Sequence, residues 1–271
     1  MNNCEAGSSE NQGARIDEKS LLVGSLNQIG KVIAVMSGKG GVGKSLVSSL
    51  LAVSLAQNGY KVGIMDADIT GPSIAKAFGI SSGACTVSEY GLNPPLSKAG
   101  IKIISINLFL EQEDDPVIWR GPLIAGAVKQ FWEETNWGDL DYLVVDLPPG
   151  TGDVALTVLQ SLPVSGIVIV SSPQDLAFMV VKKAIKMAQK MNIPIVGLIE
   201  NMSYIECPDC GKRIELFGNS SGEKVAREMS LQFLGSIPWD SKINMLMDTG
   251  EIEFYKKLTR LDTINTVIEN L

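Results

Sequence analysis

Residues 38–45 have the sequence Gly38-Lys39-Gly40-Gly41-Val42-Gly43-Lys44-Ser45. The apolar run 31–36 before it is typical of a buried strand, and residues 45–57 after it have the apolar spacing of a helix. Glycines let successive backbone N–H groups point into one concavity, where they and the N-terminus of the following helix bind phosphate oxygens. In such a loop, Lys44 is expected to reach the β- and γ-phosphates of a nucleotide and Ser45 to bind Mg²⁺.

Three of these glycines, Gly38, Gly40 and Gly43, also fit the looser G-x-G-x-x-G pattern of dinucleotide-binding units. The ending Lys44-Ser45 favours a nucleoside triphosphate site, because the lysine and the hydroxyl have separate tasks at the phosphates and the metal ion. We predict that one continuous run binds the nucleotide: Gly38, Lys39, Gly40, Gly41, Val42, Gly43, Lys44, Ser45 and Leu46.

Lys39 is one lysine more than a phosphate-binding loop needs. A lysine in an exposed loop is most often only solvated. At this position, however, a lysine lies above the mouth of the γ-phosphate site and can cross a dimer interface into a partner's nucleotide. There it would neutralise transition-state charge as an arginine finger does, an effect of roughly 10³ to 10⁵ in rate.

Acidic residues follow two further apolar runs. Asp66 and Asp68 come after residues 61–65, and Asp146 comes after residues 142–145. Ligands of α/β proteins bind at the carboxyl ends of parallel strands, so Asp68 and Asp146 are candidates for the chemistry of this site. A strand-end aspartate can instead cap a helix, an interpretation that suits Asp153 because a helical pattern follows it.

Composition limits the possible partners. The chain has 271 residues, 45% of them hydrophobic, which is enough for one α/β domain with a sizeable core. A net charge of −7 argues against a nucleic-acid surface, which needs clustered basic residues. No stretch is long and apolar enough to span a membrane, and the polar N-terminus lacks the apolar region of a signal peptide. We therefore expect a cytoplasmic protein with reduced cysteines that binds neither nucleic acid nor membrane.

Strand-like and helix-like segments alternate along the chain, which predicts an α/β fold with a doubly wound, mainly parallel sheet and helices on both faces. The strand candidates are residues 32–37, 61–65, 101–107, 142–146, 166–171 and 194–200. Residues 1–24 lack periodicity and are predicted to be a disordered tail, so that residues 25–271 form a single domain. Turn signals in residues 80–116 predict an excursion with a short hairpin.

A second site is indicated by Cys207-Pro208-Asp209-Cys210-Gly211. A C-x-x-C pair can be a redox disulfide, half of a zinc knuckle or half of an iron-sulfur site. Redox chemistry is the least favoured, because the pair lies late in the chain and is followed by a knuckle-like turn. The chain has no histidine, Cys4 lies in the predicted tail and Cys85 in the excursion. A twofold dimer would bring together four thiolates, which suit either Zn²⁺ or a 4Fe-4S cluster.

Taken together, the motifs resemble a known family. The loop 38–45 resembles that of the deviant Walker A ATPases, for which a lysine acting on the partner's nucleotide is the defining feature. Behind it, residues 25–250 resemble the Mrp/ApbC family of iron-sulfur cluster carrier ATPases. The segments that carry this resemblance are Trp119-Arg120-Gly121-Pro122, Asp146-Leu147-Pro148-Pro149-Gly150-Thr151-Gly152-Asp153, Glu200-Asn201-Met202-Ser203 and Cys207-Pro208-Asp209-Cys210-Gly211.

The resemblance implies a homodimer that holds a labile 4Fe-4S cluster on the paired Cys207 and Cys210 residues. It would exchange the cluster with scaffold proteins and apo iron-sulfur proteins, with slow ATP hydrolysis coupled to loading or transfer. A C-x-x-C hairpin is expected at about residues 202–217. ATP and Mg²⁺ are the implied cofactors beside the cluster.

The resemblance also assigns residues at the nucleotide. Asp68 would orient the attacking water, and Asp146 would hold Mg²⁺ through water, so that Ser45, Asp68 and Asp146 form the Mg²⁺ site and Lys39, Lys44 and Asp68 are catalytic. Asn201 would contact the adenine ring, with the loop at Pro238 and Asp240 closing over the base.

Two segments depart from the family pattern, residues 218–222 after the cysteines and residues 248–252, which lack the common proline. Three alternatives remain: a dimeric P-loop ATPase with structural zinc, a positioning ATPase of the MinD or ParA kind, and a cluster-bearing reductase like the nitrogenase iron protein. A positioning ATPase needs a DNA-binding face or a membrane-binding helix, whereas residues 252–271 have the apolar spacing of a packed helix. The reductase would carry cysteines near strand ends rather than in a late hairpin.

Overall fold

A computed structural model describes residues 27–69, 71–110, 121–173, 177–217, 220–257 and 262–271. Seven strands form one parallel sheet in the order β11-β8-β7-β1-β6-β2-β5. The strands of the described residues, in chain order, are β1 Gln28–Ser37, β2 Val62–Asp66, β3 Thr86–Ser88, β4 Gly91–Asn93, β5 Lys102–Ile104, β6 Asp139–Asp146, β7 Gly166–Ser171, β8 Ile195–Glu200, β9 Ile205–Glu206, β10 Arg213–Ile214 and β11 Phe233–Ser236.

Helices cover both faces of this sheet, as predicted. In chain order they are α1 Lys44–Gln57, α2 Ile74–Ala77, α3 Gly121–Glu134, α4 Asp153–Ser161, α5 Ala177–Lys190, α6 Gly222–Glu228, α7 Ser241–Thr249 and α8 Asp262–Glu269. Two short 3₁₀ helices, Ile106–Phe109 and Ile252–Phe254, follow β5 and α7. Among the described residues, no helix is long and apolar enough to cross a membrane.

The core is divided in two by the sheet, and β1 contributes to both halves. Val32 and Ala34 pack on the side of α3, α4, α5 and α6, whereas Ile33 and Val35 pack on the side of α1, α2, α7 and α8. Successive side chains of a strand point to opposite faces, so a strand that is covered on both faces is apolar without interruption. This explains the continuous apolar runs at residues 32–36 of β1, 142–145 of β6 and 166–170 of β7.

The six predicted strands are all present in the main sheet, and the structure adds β11 as its seventh strand. β11 was missed because its four residues include a glycine and a serine and are too short to show a pattern. The candidate at 101–107 is a strand only over Lys102–Ile104, since the 3₁₀ helix takes up its end. The predicted hairpin of the excursion is formed by β3 and β4. The predicted tail, with Cys4, lies outside the described residues.

The strand order places the carboxyl ends of β1, β6 and β2 side by side. β6 lies between the other two, and its last residue Asp146 is aligned with Val35 of β1 and with Asp66 of β2. In the strand order, β6 and β2 lie on one side of β1, and β7 lies on its other side. The chain therefore moves from β1 in one direction along the sheet and later continues in the opposite direction. Such a reversal opens a crevice at the carboxyl ends, where ligands of α/β proteins bind.

Helix α7 ends in a close contact between two glycines. Gly250 has φ +72° at the C-terminal end of α7, and Gly79 has φ +67° after α2. A Cβ at Gly250 would overlap the Gly79 Cα and would lie 2.7 Å from the Gly79 nitrogen. Only glycine fits this position, because both the left-handed conformation and the backbone approach exclude a side chain.

We expect Gly250→Ala to be much more destabilising than Gly59→Ala. Gly59 also has a left-handed φ, +90°, but nothing lies within 4 Å of its Cβ position. The Gly59 variant should lose about 1–2 kcal/mol from the left-handed conformation alone. The Gly250 variant should lose a further 1–3 kcal/mol or so from overpacking. Urea unfolding of both variants measures the difference, and equal losses would contradict this account.

Candidate functional site

The predicted phosphate-binding loop connects β1 to α1 as the sequence indicated. Gly41 and Gly43 have φ values of +82° and +77°, which a residue with a side chain rarely adopts. Gly43 is the residue before α1 and has no side chain to cap the helix. The first N–H groups of α1 therefore remain available for an anion.

A cavity of about 480 Å³ lies against this loop. Lys44, Ser45 and Leu46 line it from α1, and Asp68 lines it from the loop after β2. Its lining also includes Asn244, Met247 and Asp248 of α7, none of which is among the predicted nucleotide-binding residues. The cavity therefore brings the predicted phosphate-binding residues together with an unpredicted helix.

Asp146 is the centre of a buried polar network. Its carboxylate is fully buried and accepts hydrogen bonds of 2.6 Å from both the Ser45 and the Ser48 hydroxyl. The Lys44 ammonium lies 2.9 Å from Asp146 Oδ2 and 3.8 Å from Asp68 Oδ2. Lys44, Ser45, Asp68 and Asp146, four of the predicted site residues, are thus in one cluster.

The donor atoms of this cluster fit Mg²⁺. The Ser45 hydroxyl and the Asp68 and Asp146 carboxylates are hard oxygen ligands of the kind that this ion prefers. The Lys44 ammonium lies beside both carboxylates and balances part of their negative charge. Lys44 is only 5% exposed, so this charge is well placed to act on a bound phosphate without screening by water.

Asp66, at the end of β2, organises the loop that carries Asp68. It is fully buried and accepts hydrogen bonds from the backbone N–H groups of Asp68, Ser73 and Ile74 and from the Ser105 hydroxyl. Burial, together with the charge of the neighbouring Asp146, raises the pKa of Asp66 to about 7, against the opposing effect of the backbone hydrogen bond from Ile74 and of Lys44. Asp66 was not among the predicted site residues, although its position at a strand end, two residues before Asp68, was a usable signal in the sequence.

Asn201 lies at the phosphate-binding loop. Its side chain is fully buried, and Nδ2 donates a hydrogen bond of 2.9 Å to the Val42 carbonyl oxygen. A Cβ at Gly43 would overlap the Asn201 amide, so the loop and the end of β8 are in direct contact. The next residue, Met202, lines the nucleotide cavity and has a φ of +57°. A contact of Asn201 with adenine stays a prediction.

Lys39 is exposed at the tip of the loop, where the Ser37 hydroxyl donates to its carbonyl oxygen. Action on a partner's nucleotide stays a prediction.

The C-x-x-C pair forms the tip of the hairpin between β9 and β10. Cys207 is half-buried, Cys210 is exposed, and both are free thiols. The turn closes through hydrogen bonds of 2.9 Å from the Cys207 N–H to the Lys212 carbonyl and from the Gly211 N–H to the Cys207 carbonyl. Backbone N–H groups of Cys210 and Asp209 lower the pKa of Cys207. The thiolate, which is the form that binds metals, is therefore favoured.

A second cavity, of about 680 Å³, lies beside Cys207. Pro238 and Asp240, predicted at the adenine base, line this cavity and not the nucleotide cavity. Asp240 is the N-cap of α7 and accepts a hydrogen bond of 2.9 Å from the Lys242 N–H. Lys257 bridges Asp240 at 3.8 Å to Glu206 of the hairpin at 3.2 Å. The structure therefore connects these residues with the cysteine hairpin.

Within the described ranges, no group of three or more histidine, cysteine, aspartate and glutamate side chains is arranged to hold a metal ion. Cys207 and Cys210 alone supply two thiolates. Trp119, Arg120, Gly218 and Asn219, which belong to the motifs and departures noted in the sequence, lie outside the described residues.

Comparison with known proteins agrees with the geometry. A model of the ParA family, described as NUBPL iron-transfer P-loop NTPase, matches residues 28–271. The chain is 47% identical to the iron-sulfur cluster carrier protein of Clostridium perfringens over 234 residues, which are 84% of this chain and 82% of the relative. It is also 47% identical to that of Methanocaldococcus jannaschii over 226 residues, covering 83% and 78% of the two chains.

Solved structures show the same fold. A nucleotide-binding protein from Archaeoglobus fulgidus, solved in complex with ADP, has a TM-score of 0.78 and 47% identity, with 89% of this chain and 93% of that one covered. The cell division ATPase MinD of Pyrococcus furiosus has a TM-score of 0.63 over 89% and 99% of the chains. Its identity is 19%, so this likeness concerns the fold alone.

We expect Asp66 to contribute stability to the nucleotide-free protein that is lost as pH rises from about 4 to about 7. The folded-state pKa of Asp66 lies above its ordinary value of 3.8, so between these values the native state keeps a proton that the unfolded state releases. One such group contributes a slope of at most about 1.4 kcal/mol per pH unit.

Urea unfolding in EDTA at several pH values measures this slope. Asp66→Asn, which does not titrate, should show a shallower decline, and the exposed Asp153→Asn should behave as the wild type does. A slope that is the same in wild type and Asp66→Asn would show that Asp66 is not the group responsible.

Proposed function

Because this chain belongs to the ParA family of NUBPL iron-transfer P-loop NTPases, we propose that it is an ATP-dependent carrier of iron-sulfur clusters. One observation carries the proposal. Two free thiols, with the pKa of Cys207 lowered, stand on a hairpin that begins four residues after Asn201, and Asn201 is bonded to the phosphate-binding loop. A cargo site and a nucleotide site are thus joined by one short segment.

In this proposal the cargo is a 4Fe-4S cluster held between two copies of the chain. Such a cluster requires four thiolates, and each copy offers Cys207 and Cys210. A twofold axis near the hairpin tip would complete the set. Recipients are apo iron-sulfur proteins and donors are scaffold proteins, and the exposure of Cys210 gives either of them access to the cluster.

The nucleotide site would hydrolyse ATP with residues that the structure brings together. Lys44 turns from the carboxylates to the phosphates, while Ser45, Asp68 and Asp146 hold Mg²⁺ directly or through water. The ion, when bound, neutralises charge on the β- and γ-phosphates. Asp68 orients a water whose oxygen attacks the γ-phosphorus as the bond to ADP breaks. Lys39 of the second copy adds positive charge, which suits its exposed position at the loop tip.

Coupling between the sites is proposed to run through the end of β8. Asn201 and Met202 touch the phosphate-binding loop, and β9 of the hairpin begins at Ile205. The exit of the hairpin is anchored by Glu200, which accepts hydrogen bonds from the Ser221 and Gly222 N–H groups and from the Ser220 hydroxyl. A change in loop conformation on nucleotide binding would therefore reach both ends of the hairpin.

The carrier proposal predicts cluster loading on these cysteines. Anaerobic reconstitution should give about four iron and four acid-labile sulfide per dimer. Cys207→Ser and Cys210→Ser should each lose the cluster, whereas Cys85→Ser, which removes a half-buried thiol of the excursion, should retain it. Stoichiometric zinc without sulfide would identify the alternative, a dimeric ATPase with structural zinc, and would contradict the carrier function.

Nucleotide coupling predicts a role for the backbone of Met202. Met202 has a left-handed φ of +57°, which costs a non-glycine residue about 1–2 kcal/mol, so contacts with its surroundings must hold it in this conformation. Met202→Gly should keep cluster loading. It should reduce the effect of saturating ATP on the rate of cluster transfer to an apo-ferredoxin, because a flexible glycine no longer links the nucleotide cavity rigidly to the hairpin. Absorbance and circular dichroism of the acceptor follow the transfer.

Ser230→Gly is the matched control. Ser230 has a φ of +56°, follows α6 and does not line either cavity. This variant should transfer clusters as the wild type does. An undiminished ATP effect in Met202→Gly would show that coupling does not pass through this segment.

A further inference from the structure

Ser48 holds one oxygen of the buried Asp146 carboxylate. Its hydroxyl lies 2.6 Å from Asp146 Oδ1, whereas the Ser45 hydroxyl lies 2.6 Å from Oδ2. The two serines are three positions apart on α1 and so lie on the same face of the helix. Both oxygens of Asp146 are therefore bound by hydroxyl groups from one helix.

The Ser48 proton can be assigned to Asp146. The hydroxyl also lies 3.1 Å from the Lys44 carbonyl oxygen, but it has only one proton to donate. The contact with the carboxylate is 0.5 Å shorter (3.1 − 2.6 Å) and involves an ionised acceptor, which makes it the stronger bond.

Nucleotide binding would leave Ser48 as the lasting contact of this network. Lys44 and Ser45 are expected to turn to the phosphates and to Mg²⁺. Ser48 is fully buried and lines neither cavity, so its hydroxyl is not drawn to the nucleotide or the ion. Its bond to Oδ1 then maintains the carboxylate orientation in which Oδ2 faces the metal position.

We propose that Ser48 is the positioning residue of the Mg²⁺ site: its hydroxyl fixes Asp146 so that Oδ2 points toward Ser45 and the ion. The inference rests on the proposed Mg²⁺-nucleotide site and deepens it, since it concerns the strength of metal binding. Ser48 touches neither nucleotide nor metal and acts through Asp146.

The neighbouring Ser49 provides a matched control. It is also fully buried on α1, but its hydroxyl donates to the Ser45 carbonyl oxygen at 2.8 Å instead of to Asp146. Ser49→Ala removes a buried hydroxyl from the same helix turn without changing the carboxylate. A general loss of helix stability would affect both variants alike.

The test compares ADP affinity in Mg²⁺ and in EDTA for the full chain, measured with a fluorescent ADP analogue. Ser48→Ala should lose about tenfold or more of the affinity gained from Mg²⁺, the usual effect of removing a hydrogen bond to a buried charge. Its affinity in EDTA should stay within about twofold of wild type. Ser49→Ala should keep the full Mg²⁺ gain, and Ser48→Thr, which retains the hydroxyl, should restore most of it.

Three outcomes would overturn the inference: a full Mg²⁺ gain in Ser48→Ala, an equal loss in both alanine variants, or a loss in Ser48→Ala that is the same with and without Mg²⁺. If Ser48→Ala does not fold, Ser48→Cys decides in the same way, because it keeps the shape but is a weak donor. Absence of any Mg²⁺ gain in wild type would overturn the proposed metal-nucleotide site itself, and the inference with it.

Discussion

The buried charge of Asp146 is the constraint on which the nucleotide site depends. A carboxylate without water must be fully hydrogen-bonded or paired, and here Lys44, Ser45 and Ser48 together meet that need. All three partners come from the first turn or so of α1. The same interactions therefore fix α1 against β6 and set the position of the phosphate-binding loop that precedes α1. They also hold Lys44 close to where a phosphate would bind.

The end of β8 supports the phosphate-binding loop and the cysteine hairpin. Asn201 supports the loop through its bond to the Val42 carbonyl, which is possible only because Gly43 has no side chain. Glu200, one residue earlier, holds the return of the cysteine hairpin. Two consecutive residues, the last of β8 and the one after it, thus contact the two sites, which gives the proposed communication a short and buried route.

Much of this was visible in the sequence, and the exceptions have physical reasons. The loop, its flanking strand and helix, Asp68, Asp146 and the cysteine pair follow from residue types at fixed spacings. Ser48 could not be separated from Ser49 by residue type, although its spacing of three from Ser45 was a usable signal. The residues of α7 at the nucleotide cavity and the placement of Asp240 beside Cys207 depend on how distant segments pack, which local patterns do not encode.

The cysteine hairpin stands outside the seven-stranded sheet, and within the part of the chain that the structure describes its two strands pair only with each other. Its connections to the rest of the chain include its two ends, the surface ion pair of Lys257 with Glu206, and the Arg213 guanidinium over the buried Tyr204 ring. Residues 208–213 at its tip are exposed, so substitutions there remove no buried side chain. Under the proposed function, the site that carries the cargo can therefore diverge by substitutions in one exposed module while the nucleotide site keeps its residues.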